Sequence, residues 1–168
     1  MLMNAKSIIF VLAFTFLFAG CQKSVFQSLK KTEDLFVLEG LPHPSRENPS
    51  FKKEKNRNDV MQIKNHWFYD AKGKAIGNTR DQLMNLLFDE SGFSSLDHKT
   101  PPKDCGPFHP DYAIMWESDG VENYLMICYT CGEAKLYRED IAETYAINAY
   151  KMESLANLLA KFKANRPW

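Results

Sequence analysis

Between Tyr112 and Tyr129 two apolar and aromatic runs, 112–117 and 121–129, flank Ser118, Asp119 and Gly120. An Asp-Gly pair supplies the two positive-φ positions of a tight two-residue turn, so this segment predicts a long antiparallel hairpin. A lone hairpin cannot shield its apolar positions from water, and the rest of the chain has to supply strands or helices to cover it. Residues 34–39 read as a strand ending at Gly40, and 60–64 alternate apolar and polar. His66, Trp67, Phe68 and Tyr69 continue with strand-favouring side chains, and Gly73 is placed to close a loop over 70–73 with 74–77 as a short return strand. Two helices are expected. One follows a Thr79 to Gln82 capping box, carries Leu83, Leu86 and Leu87 on one face and stops at Gly92. The other is capped by Asn148, aligns Met152, Leu155, Leu159 and Phe162, and ends before Pro167.

The segment 133–138 has two readings. It alternates as a third strand behind a tight turn at Cys131 and Gly132, yet Ala134, Tyr137, Ile141 and Tyr145 also recur at helical spacing behind a Thr130 to Glu133 capping box. The turn favours the strand. The expectation is therefore an α+β domain, a small antiparallel sheet packed by two or three helices. Composition agrees with one domain: 168 residues, 45% apolar, with Lys plus Arg and Asp plus Glu equal at 21 each. Zero formal charge gives no electrostatic footprint for nucleic acid. The prolines and the charged run Lys52, Lys53, Glu54, Lys55 and Arg57 make 42–58 a solvated loop. Pro101, Pro102, Pro107 and Pro110 exclude a regular element over 93–111.

The first twenty residues read as a processing signal: Lys6 in a short leader, then an apolar run from Ile8 to Phe18 broken only by Thr15. As a helix that run rises about 16 Å, half of a bilayer core, which suits a signal and not a span. Ala19 and Gly20 directly before Cys21 resemble the lipobox of bacterial lipoproteins, with Phe18 where that family usually has Leu. The resemblance implies a diacylglyceryl group on the Cys21 sulfur, cleavage before it, and palmitate-type acyl chains holding the protein on a membrane. Gln22 resembles the residue found in lipoproteins sorted to an outer membrane, where the cell has one. Residues 1–20 are then the signal peptide, 21–33 a tether and 34–168 the domain, a lipid-anchored protein of the bacterial cell envelope.

Cys105, Cys128 and Cys131 remain. One reading pairs Cys105 with Cys128 or Cys131 in a structural disulfide. A second assembles Cys105, His109, Cys128 and Cys131 into a structural Cys₃His zinc site, with no position open to activate water. A third is thiol-disulfide exchange at Cys128 and Cys131, and a fourth leaves the thiols unpaired and inert. The residues from Cys105 to Ile114, taken with Leu125 to Gly132, look like a group of exported and lipid-anchored bacterial proteins. In those proteins a Cys, a Pro and a His-Ala/Gly-Ile run precede a strand ending in Cys-aromatic-x-Cys. Tyr112 stands here where they often have His. The resemblance implies a hairpin with a third strand and cysteines that meet in space, and it brings no activity.

Catalytic signatures are missing: no Gly-x-Ser-x-Gly elbow, His-Glu-x-x-His helix, phosphate loop or dinucleotide turn occurs in the chain. His43 and His109 adjoin prolines, His66 opens an aromatic strand and His98 follows an Asp. Trp67, Trp116 and Trp168 read as core or rim. The expected function is thus a non-enzymatic structural or partner-binding domain without a cofactor, its membrane contact made through Cys21. The alternative is a thiol oxidoreductase or zinc-binding protein using Cys105, Cys128 and Cys131.

Overall fold

The computed structural model describes residues 25–44, 49–96 and 106–167. Residues 1–20, which read as a signal peptide, the lipidation candidate Cys21, His98, Cys105 and Trp168 lie outside the described residues. Eight strands form a single sheet: β1 (Leu35–Gly40), β2 (Val60–Ile63), β3 (His66–Ala75), β4 (Phe93–Ser95), β5 (Tyr112–Ser118), β6 (Val121–Cys128), β7 (Glu133–Arg138) and β8 (Ile141–Ile147). Their order across the sheet is β2-β3-β1-β5-β6-β7-β8-β4, and every pairing is antiparallel. This corrects the expected α+β class: the fold is mostly β, one large sheet with three α-helices among the described residues, α1 (Ser50–Lys55), α2 (Gly77–Phe88) and α3 (Ala149–Leu159).

The expectation fell short because of the C-terminal half of the sheet. The central hairpin forms as expected, with Asp119 at φ 54° and Gly120 at φ 75°, and β7 joins it as the third strand. The helical spacing of Ala134, Tyr137, Ile141 and Tyr145 has a different origin. Glu139 turns the chain at φ 49°, β8 folds back on β7, and Ala134 and Tyr145 become cross-strand partners. β4 then adds the outermost edge through Phe93 opposite Ile147, inside a stretch expected to hold no regular element.

The β2–β3 hairpin also turns elsewhere than expected. Its turn lies at Lys64 and Asn65, both with positive φ, and β3 runs unbroken through 70–73. Leu38 pairs with Lys72 while Gly40 pairs with Phe68, so three residues, 69–71, face Glu39 alone. This bulge bends β3 and swings the hairpin tip across the sheet, until Lys64 Nζ donates to the Glu139 carbonyl at 2.6 Å. Gly73 serves packing and not turning, since a Cβ there would stand 2.6 Å from the Phe162 ring.

Both faces of the sheet are covered. On one, Leu35, Val37, Ile114, Trp116, Leu125 and Leu136 pack against Leu83 and Leu87 of α2, Leu155 and Leu159 of α3, and Phe26 and Leu29 from the 3₁₀ turn Val25–Lys31. On the other, Leu38, Ala113, Met115, Tyr124 and Met126 meet Ile63 and Phe68 of the folded-over hairpin. Each fully buried Leu or Phe contributes about 1.5–3 kcal/mol, so the fold needs both layers.

The helices meet their sequence signals unevenly. Asn148 caps α3 by accepting from the Lys151 amide at 2.8 Å. α2 starts two residues before Thr79, with Ile76 at its N-cap and no side-chain cap. The stretch 42–58 contains α1, fixed because Glu54 is buried and accepts from the Tyr69 hydroxyl and Arg57, each at 2.9 Å. No helix among the described residues is long and apolar enough to cross a membrane.

Candidate functional site at one end of the sheet

The end of β1, the start of β5 and the end of β6 meet at Asp111. Its amide donates to the Ile127 carbonyl at 2.7 Å, and its carbonyl accepts from the Gly40 amide at 2.8 Å. Its carboxylate accepts from the Tyr129 amide on Oδ2 and from Arg166 on Oδ1, both at 2.7 Å. Asp111 therefore clamps the β6–β7 turn and the C-terminal segment to the same point. The approach is so close that a Cβ on Gly40 would lie 2.1 Å from the Pro110 carbonyl oxygen, which demands glycine there.

Within that turn Cys128 and Cys131 are joined to each other as a disulfide, with Cα atoms 5.3 Å apart, in place of the pairing of either one with Cys105. A strand continuing through Cys128 would send the two side chains to opposite faces; the turn over 129–132 brings them together. Gly132, at φ 64°, donates to the Tyr129 carbonyl, and the Cys131 amide donates to the Cys128 sulfur at 3.2 Å. Cys128 is 1% exposed and Cys131 5%. Exchange requires an attacking thiolate to reach a sulfur, and low-pKa attacking cysteines sit at helix N-termini or beside cations. This pair lies buried between two strands instead.

His109 is drawn to a different partner. Its Nε2 donates to the Leu41 carbonyl at 2.7 Å, and its ring packs edge-on against His43 at 5.0 Å. Burial lowers its pKa, opposed by the Leu41 bond. As a disulfide, Cys128 and Cys131 offer no thiolates to the Cys₃His set of the second reading, whose Cys105 lies outside the described residues. Among the described residues no group of three or more His, Cys, Asp or Glu side chains is placed to hold a metal ion. His66 lies edge-on to Phe108 at 5.4 Å, its pKa lowered to about 4 by burial and then by Lys135 and His109.

Four further residues complete the site, and two of them, Glu39 and Arg166, carried no sequence signal of a site. Glu39 is only 3% exposed and sits opposite Tyr112; its Oε2 accepts from the amides of Ala164 at 3.1 Å and Asn165 at 2.7 Å. Arg166 divides its guanidinium between Asp111 and the Leu41 carbonyl, at 2.7 and 3.0 Å. The rings of Tyr112 and Tyr129 lie tilted against each other, their centroids 6.0 Å apart. Burial raises both hydroxyls, Tyr112 to about 12, so each phenol is neutral at physiological pH. Glu39 read as the last residue of a strand and Arg166 as the end of a helix; only their pairing across the chain gives them meaning. No protein-family profile, no curated protein and no solved structure matches this chain.

Proposed function

We propose that this protein is a lipid-anchored component of a bacterial cell envelope, held through acyl chains on Cys21, whose domain binds a partner and performs no chemistry of its own. The observation that carries the reading is the buried Cys128–Cys131 disulfide, clamped by Asp111. Structural disulfides persist in oxidising compartments and are rare where glutathione and thioredoxin keep thiols reduced. The lipobox-like residues before Cys21 supply the matching address, and Gln22 favours an outer membrane where the cell has one. The polar groups at the site support binding over catalysis, because Asp111, Arg166 and His109 already hold backbone and side chains of other segments by hydrogen bonds, as a recognition surface does.

Labelled palmitate fed to cells making the wild-type chain and Cys21→Ser tests the anchor. Label in the wild type, with the protein in the membrane fraction, and loss of both in Cys21→Ser are expected. Equal behaviour of the two chains overturns the reading.

A second reading, thiol exchange at the same pair, is favoured by the Cys-x₂-Cys spacing alone. Known exchange proteins have potentials of about −120 to −270 mV, whereas structural disulfides lie below about −300 mV. Redox titration of the folded chain separates them.

A further inference from the structure

Residues 163–167 cross the end of the sheet, and none of them is buried. Polar contacts fasten them: two consecutive amides on Glu39 Oε2, and the Arg166 guanidinium forked between Asp111 and the Leu41 carbonyl. The floor beneath is built as a receptor. Glu39 is nearly inaccessible, its Oε1 has no hydrogen-bond partner, and the buried Tyr129 hydroxyl has none either. Buried polar atoms left unpaired are uncommon and costly. Glu39 and Asp111 both face this segment, the first through the amides of Ala164 and Asn165 and the second through the Arg166 guanidinium. The tail therefore fits the floor without saturating it.

We propose that this floor, Glu39, Asp111, Tyr129 and the Leu41 carbonyl, is a binding site for an extended peptide bearing arginine, and that the chain's own segment 163–167 occupies it as a displaceable latch. Consecutive backbone amides on one carboxylate and a guanidinium bridging a carboxylate and a carbonyl form a peptide-recognition pattern, made here within one chain. A partner peptide that adds a donor to Glu39 Oε1 gains a bond the latch leaves unmade. The latch in turn competes at the high effective concentration of a tethered ligand. The proposal names the partner class of the binding role given above and rests on it. Its test is read in solution and does not involve Cys21, so a failure of anchoring and a failure of peptide binding are separate results.

The probe is a fluorescent synthetic peptide with the sequence of residues 162–168, titrated into the full chain. Arg166→Ala weakens the latch and is expected to bind the probe at least tenfold more tightly than the wild type. Adding Asp111→Asn, or replacing the probe's arginine with alanine, is expected to lose that gain. Equal probe affinity in the wild type and Arg166→Ala, or equal affinity for the arginine-free probe, overturns the proposal. Hydrogen exchange on the wild type gives a readout independent of how the variants fold. The Ala164 and Asn165 amides are expected to exchange at least a hundredfold faster than those of β1 and β5, and exchange at the sheet's own rate contradicts a latch.

Discussion

Lys151 shows how one side chain can tie two helices together. It is 1% exposed, and its ammonium donates to the carbonyls of Leu86, at 2.6 Å, and Asp89, and to the Asp89 carboxylate at 3.0 Å. A cation from α3 thus satisfies carbonyls that the end of α2 would leave orphaned, where the helix dipole is negative. Lys151→Met keeps the stem and removes the charge, leaving those carbonyls unpaired; a loss of about 2–4 kcal/mol in urea unfolding is expected. His66 sets a pH dependence. Its pKa is near 4 in the folded chain, because burial and then Lys135 and His109 disfavour its charge, against 6.5 when unfolded. Between those values the unfolded chain binds more protons, so stability is complete above pH 6.5 and is lost as the pH falls towards 4. The ring is partly exposed, and after discounting for solvent screening the effect is about 1 kcal/mol. Acid unfolding of His66→Phe is expected to be flatter than that of wild type across this window.

Among the elements, the turns separate what could be read in the sequence from what could not. The turn at Asp119 and Gly120 is local chemistry, as is the Asn148 cap, and both stand where the residues placed them. The β2–β3 turn uses Lys64 and Asn65, whose left-handed conformations are imposed by pairing on either side; the local signal at Gly73 pointed elsewhere. Asn65→Gly puts glycine at the second position of a two-residue hairpin turn, at φ 68°, and is expected to stabilise the chain by no more than about 0.5 kcal/mol in urea unfolding, because glycine also loses more entropy on folding. The β3 bulge and the return of β8 depend on register against partners far along the chain, and no short window of sequence records them. The candidate site was half legible: Cys128, Cys131 and His109 stood out by residue type, whereas Glu39, Asp111 and Arg166 are ordinary charged residues until the fold joins them. The disulfide spans a sequence separation of 3. On the chain-entropy account so short a loop contributes about 2 kcal/mol, and Cys128→Ser with Cys131→Ser is expected to melt roughly 4–8 °C lower by calorimetry.

At the scale of the whole molecule, one bend organises everything else. The bulge opposite Glu39 lets the β2–β3 hairpin fold over one face of the sheet, and the helices close the other. The two apolar layers are then used inside the domain, and its distinctive polar surface is the end where Asp111 gathers β1, β5, β6 and the C-terminal segment. The lipid anchor proposed above would attach such a domain to a membrane through acyl chains on Cys21. Intact-mass spectrometry of the protein extracted from membranes of cells that make it tests that account most directly. The expected mass is that of a chain beginning at Cys21, carrying acyl groups and two hydrogens lighter for the Cys128–Cys131 bond. A mass showing residues 1–20 retained, or Cys21 without lipid, contradicts it.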